Sequence, residues 1–101
     1  MFEYNGVNYE LRYNIKRIEM IESATRKSVV SIMQKGALSI NELKIMFAYG
    51  VCKEGTYAFE LPKKALTMAE EMLGKTGSYI EMSDMVAEAI ERDCPFFFPA
   101  G

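Results

Sequence analysis

Catalysis near neutral pH usually draws on a histidine, a carboxylate pair or an activated nucleophile, and this chain holds little of that material. It has no histidine, so the side chain that titrates closest to neutrality, and the commonest metal ligand, is missing. Glu70 and Glu71 are adjacent and so point to different parts of a helix surface, while Glu88 and Glu91 edge an amphipathic stretch. All four read more simply as solvated side chains than as acid–base partners. There is no phosphate-cradling glycine loop, and no serine stands in a nucleophile-elbow context. Cys52 and Cys94 lie far apart in sequence and form no CxxC; buried free thiols are a plainer reading than a disulfide or a ligand pair. The expectation is a protein that is no enzyme and needs neither metal nor cofactor.

Binding chemistry is better represented. Lys16-Arg17, Arg26-Lys27 and Lys63-Lys64 are basic pairs that could converge on nucleic acid, and the short helices expected around 28–52 could form a helix-turn-helix. Against this, the whole chain carries 12 Lys/Arg and 14 Asp/Glu, a net charge of −2, and a phosphate backbone demands a concentrated positive field. Protein binding fits more of the residues. Eight methionines offer adaptable apolar surface, although most are expected to fill a core. Phe96-Phe97-Phe98 stand between Pro95 and Pro99; they either pack back on their own domain or dock on another molecule. After Ser39, Ile45, Ala48, Tyr49 and Cys52 make a second apolar stripe beside Ile40, Leu43 and Phe47. A helix apolar on most sides is either central or buries one side in a partner. Phe96, Phe97, Phe98, Ile45 and Tyr49 are therefore the candidate partner-binding residues, with protein rather than nucleic acid or membrane as the partner.

These residues need elements to hold them. Phe2, Tyr4, Val7, Tyr9, Leu11 and Tyr13 alternate with polar residues, and Asn5-Gly6 between them suits a two-residue type I′ turn. That turn pairs Tyr4 with Val7 and Phe2 with Tyr9, so residues 1–13 are predicted to be a hairpin with its Phe2/Tyr4/Val7/Tyr9 face packed on helices. Its edges would be free to add strands. Asn14 caps a helix with Ile15, Ile18 and Ile21 along one stripe, broken near Ser23–Ser28. A second helix points Val29, Ile32 and Met33 inward and stops at Lys35-Gly36. Ser39-x-x-Glu42 is a capping box opening a third. Lys53–Leu61 reads as loop, with a short strand at Thr56–Phe59. Pro62 opens a fourth helix through Ala65, Met68, Ala69 and Met72 to Gly74. The fifth starts at Ser78, where Glu81 completes another capping box, or at Ser83; it carries Met82, Met85, Val86, Ala89 and Ile90 inward and ends at Cys94-Pro95.

The reading is one α+β domain over 1–101, mostly α: a hairpin at 1–13, about five short helices in a body at 14–94, and an extended aromatic tail at 95–101. Neither a membrane-length apolar run nor a signal-peptide pattern opens the chain, so a soluble protein of the cytoplasm is expected. Charge is uneven. Residues 1–64 hold ten Lys/Arg and seven Asp/Glu (+3), and residues 65–101 hold two and seven (−5). This split could support complementary faces within one copy or head-to-tail contact between copies.

The order of features resembles a family: the tail assembly chaperones of long-tailed bacteriophages and prophages, especially in Gram-positive hosts. The resemblance rests on Tyr4-Asn5-Gly6-Val7-Asn8-Tyr9-Glu10-Leu11-Arg12-Tyr13, on Ile15-Lys16-Arg17-Ile18, and on Gly36-Ala37-Leu38-Ser39-Ile40-Asn41-Glu42-Leu43 followed by Phe47-Ala48-Tyr49-Gly50-Val51. It covers residues 4–52, with looser similarity in the final helix, and carries over no individual binding residue. It implies a small non-enzymatic α+β protein that coats and solubilises the tape-measure protein, recruits tail-tube subunits, self-associates and is absent from the finished virion. Such proteins are often made in two lengths by ribosomal frameshifting. A pyrimidine-rich slippery run encoding Pro-Phe-Phe-Phe would explain the tail's composition without any binding role. The reading from another class is a small DNA-binding regulator of phage or plasmid origin.

Overall fold

A computed structural model describes residues 1–99. Strands β1 (Phe2–Tyr4) and β2 (Val7–Leu11) form the hairpin, with Phe2 opposite Tyr9 and Tyr4 opposite Val7. Asn5 (φ 51°) and Gly6 (φ 79°) both have positive φ, as a type I′ turn requires. Helix α1 spans Ile15–Thr25, α2 Val29–Gln34 and α3 Ile40–Ala48. The chain then enters β3 (Val51–Lys53), which pairs antiparallel with β2 to give a sheet of order β1-β2-β3. Helix α4 (Pro62–Leu73) and helix α5 (Ser78–Asp93) complete the mixed α+β, mostly helical body.

Caps set several boundaries where the sequence places them. Asn14 accepts from the Arg17 amide, Ser28 from Ser31, and Ser39 with Glu42 closes the full capping box. Pro62 sits in the first turn of α4, and Gly74 ends it. One expected cap does not form. Ser78 Oγ donates back to the Leu73 and Lys75 carbonyls, so Gly77, left-handed at φ 76°, is the N-cap of α5 and no Ser78–Glu81 box exists.

Other differences follow from the third strand. Gly50 is followed at once by β3, so Cys52 lies in the sheet and not on the helix with Ile45 and Tyr49. The strand expected at Thr56–Phe59 reduces to one bridge, Phe59 to Cys52. That bridge, with the Glu60 amide bonded to the Val51 carbonyl, covers the outer side of β3. Of the expected free edges, only the three-residue edge of β1 remains. Ile15 and Ile40 are exposed (63% and 56%) because each is the first residue of its helix, before the stripe turns inward. Val7 is exposed at the hairpin tip, while Tyr9 is buried and Phe2 and Tyr4 are half-buried.

Helix α3 is the centre of the molecule. Leu43, Met46, Phe47 and Ala48 are fully enclosed, with Ile21, Val29, Ile32, Met68, Met82 and Ile90 around them. Met46, Met68 and Met82 thus fill core, and only part of the methionine complement reaches the surface. Among the described residues no helix is long and apolar enough to cross a membrane.

Candidate functional site

Polar side chains that the sequence offered for chemistry are mostly spent on holding elements together. Glu42 is 2% exposed, yet its carboxylate accepts from Lys35 (2.6 Å), Lys27 (3.1 Å) and the Ser39 amide (2.8 Å). The Lys35 ammonium, then the Ser39 amide, lower its pKa to about 2. One buried anion therefore ties the α1–α2 turn, the end of α2 and the start of α3. Arg17 donates to the Tyr49 carbonyl (2.7 Å), and its guanidinium lies 4.1 Å from the Phe59 ring centroid. Arg92 forms a forked pair with Asp93 and reaches the Leu11 carbonyl at 2.6 Å, while Asp93 accepts from the Tyr13 amide. Tyr13 is buried and donates to the Met46 carbonyl at 2.6 Å; burial raises its pKa. Cys52 and Cys94 are both free and buried, and burial pushes the Cys94 thiol up to about 11, the opposite of an activated thiolate.

Several cations of the basic pairs are engaged within the fold. Lys27 is taken by Glu42, Lys64 by Glu60 (2.8 Å) and Arg17 by Tyr49 and Phe59. Lys16-Arg17 and Arg26-Lys27 sit at opposite ends of α1, separated along its axis by roughly 15 Å at 1.5 Å per residue. The would-be recognition helix, α3, is buried, and its one cation, Lys44, pairs with Glu70 at 2.7 Å. Of the carboxylates weighed for catalysis, Glu70 faces Lys44 and Glu71 accepts from the Tyr4 hydroxyl, while Glu88 and Glu91 are exposed on α5. No three potential metal ligands cluster among the described residues.

What remains is an apolar face. A groove of about 290 Å³ opens between the end of α2 and α5. Met33 and Leu38 line one wall, Tyr79, Ile80 and Ala87 the other, with Met46 and Ile90 beneath. The Tyr79 hydroxyl donates to the Leu38 carbonyl at 2.6 Å, which fastens the α2–α3 connection to α5 and holds the walls apart at a fixed spacing. Ser83 Oγ also lines the groove, without a hydrogen-bond partner among the described residues. A second depression, about 270 Å³, shares Met33 and continues past Val30 and Gln34 to Phe97 and Phe98. Ile80 (68%), Phe98 (43%) and Val30 (41%) are exposed along this run.

The aromatic tail belongs to this face, but not in the extended form expected for it. Pro95–Phe97 make a single 3-10 turn, because the Phe97 and Phe98 amides bond back to the Cys94 and Pro95 carbonyls. Phe97 packs on the core, and Phe96 and Phe98 stay exposed. One ring of the tail is turned inward and two outward. Pro99 is described and exposed; residues 100–101 of the expected tail lie outside the described residues. Ile45 and Tyr49 are half-buried elsewhere: Tyr49 borders a shallow depression on α1 with Lys16 and Met20. The five candidate binding residues thus do not form one site. Sequence periodicity missed the groove itself because its walls come from α2, the α2–α3 connection and α5, which are distant in the chain. No protein-family model, no curated protein and no solved structure matches the chain.

Proposed function

We propose that the chain is a tail assembly chaperone of the long-tailed bacteriophage type. It is a non-enzymatic, self-associating protein of the host cytoplasm that coats the tape-measure protein, keeps it soluble and recruits tail-tube subunits. The observation that carries this reading is the continuous apolar face from Ile80 through Met33 to Phe98, in a chain whose titratable side chains serve mainly as internal ties. A coat on an elongated helical client requires adaptable apolar surface and repeated weak contacts rather than an enclosed polar pocket. The resemblance over residues 4–52 supplies the identity of the client. The internal engagement of Arg17, Lys27 and Lys64 and the net charge of −2 favour this reading over the DNA-binding alternative.

Co-production with the tape-measure protein of the same phage tests the reading. The client is expected to remain soluble and to co-purify, and light scattering over a wide concentration range is expected to show self-association. An insoluble client together with a strict monomer overturns it. A shifted DNA fragment in a low-salt retardation assay would favour the regulator instead.

A further inference from the structure

We infer that the α2/α5 groove binds an amphipathic helix of about three turns whose polar flank is cationic. The inference rests on the protein-binding reading above and narrows it to one face and one ligand class.

Three features of the groove select this occupant. Its long wall is helix α5, where Ile80, Asp84, Ala87 and Glu91 recur at i, i+4, i+7 and i+11 and so lie along one stripe. From Ile80 to Glu91 the stripe runs about 16 Å at 1.5 Å per residue, roughly three turns of a ligand helix. The second feature is backbone satisfaction. The helical parts of the groove's walls have main-chain groups already bonded internally, and in the α2–α3 connection the Leu38 carbonyl is taken by the Tyr79 hydroxyl. An extended peptide laid there would leave its own amides and carbonyls unpaired against Met33, Leu38 and Ile80, whereas a helix brings its hydrogen bonds with it. The third is charge. Asp84 lines the groove, Glu91 lies one stripe position beyond Ala87, and neither has a salt-bridge partner among the described residues. The Lys35 ammonium, beside the lining residue Gly36, is held by Glu42. A ligand's lysines or arginines would meet Asp84 at the rim and Glu91 further along the same stripe of α5, while its leucines or methionines fill the apolar floor. Phe98, beyond Val30, bounds the run at its far end.

The test uses the full chain and three designed peptides of fifteen residues, followed by calorimetry and by backbone NMR shifts. All three carry leucines at i, i+3, i+4 and i+7 spacing. The first has lysines at the polar positions, the second has glutamates, and the third is the lysine peptide with two central prolines. The lysine peptide is expected to bind and to shift resonances of residues 80–91 and 30–38. The glutamate and proline peptides are expected to bind at least tenfold more weakly. Ile80→Asp should weaken the lysine peptide at least tenfold, and Asp84→Lys with Glu91→Lys should reverse the preference between lysine and glutamate peptides. All three positions are exposed, so circular dichroism is expected to be unchanged. Failure of the lysine peptide to bind, equal binding of the proline peptide, or binding indifferent to the three substitutions overturns the inference. Pull-down of tape-measure protein by the same variants separates the two readings. A client retained by Ile80→Asp leaves the chaperone role standing and removes the groove. A lysine peptide bound at the groove by a chain that ignores the client does the reverse.

Discussion

Two sides of helix α3 are built by different chemistry. Toward α1 and the sheet, nearly every element is tied by a specific polar bond: Glu42 to two lysines and the Ser39 amide, Arg17 to Tyr49, Tyr13 to Met46, Asp93 to Tyr13. Where the middle of α2 faces α5 and the aromatic turn, between the Lys35 tie at one end and Asp93 at the other, the contacts are apolar, and the Tyr79–Leu38 bond is the polar clasp that borders the groove. Directional bonds to buried groups fix geometry and are costly to break. Apolar contacts tolerate substitution and shape change more readily. The molecule therefore has a frame fixed by directional bonds beside an apolar face that tolerates change more readily.

The sharpest way to break the frame is at Gly50. A Cβ added there would lie 2.5 Å from the Tyr13 ring and 2.7 Å from its hydroxyl oxygen. Tyr13 cannot retreat, because its hydroxyl is held by Met46. Gly50→Ala is expected to destabilise by about 2–4 kcal/mol, the range of overpacking with a lost buried bond. At roughly 4–8 °C per kcal/mol for a domain of this size, a thermal melt reads this easily. A fall of under 4 °C would show that the Tyr13 side is as accommodating as the groove side.

Glu42→Gln removes the anion that joins α1, α2 and α3, and about 2–3 kcal/mol is expected from the loss of charge-assisted bonds at a buried site. Its pH signature is distinctive. The folded pKa is depressed from 4.5 to about 2, so the stabilisation is complete above the unfolded value and is lost as pH falls through the folded one. The difference in stability between native chain and Glu42→Gln should hold above pH 5 and shrink progressively toward pH 2, as measured by urea melts across that range. A difference independent of pH would mean that the carboxylate's shape, not its charge, holds the three helices.

Groove substitutions mark the other end of the scale. Ile80→Ser and Phe98→Ser replace exposed side chains, and each is expected to change stability by no more than about 0.5 kcal/mol. Both should nonetheless reduce self-association or client binding in light scattering and pull-down. A large loss of stability from either would assign that residue to the core instead of to a binding face.

Local signals in the sequence were sufficient wherever the deciding interaction is itself local. Asn5-Gly6 sets the hairpin register, Ser39 and Glu42 cap one another three residues apart, and Pro62 and Gly74 bound α4, all within a few bonds of chain. The stripe of Met82, Val86, Ala89 and Ile90 was legible for the same reason: helical periodicity is a property of one segment. The third strand was not legible, because Val51–Lys53 has strand geometry only through its pairing with Tyr9, Glu10 and Leu11, far earlier in the chain. A three-residue strand has too little pattern to announce itself. Ser78 shows the converse, a sound capping signal overridden when its hydroxyl turned to the carbonyls of the preceding turn. Phe96–Phe98 were conspicuous by composition, yet how many rings turned inward depended on the space beside Val30 and Met33, which packing alone creates. The chain thus determined its elements through interactions that span one or two turns. The groove was decided only in three dimensions, where α2 and α5 meet across α3 and leave their apolar flanks incompletely covered.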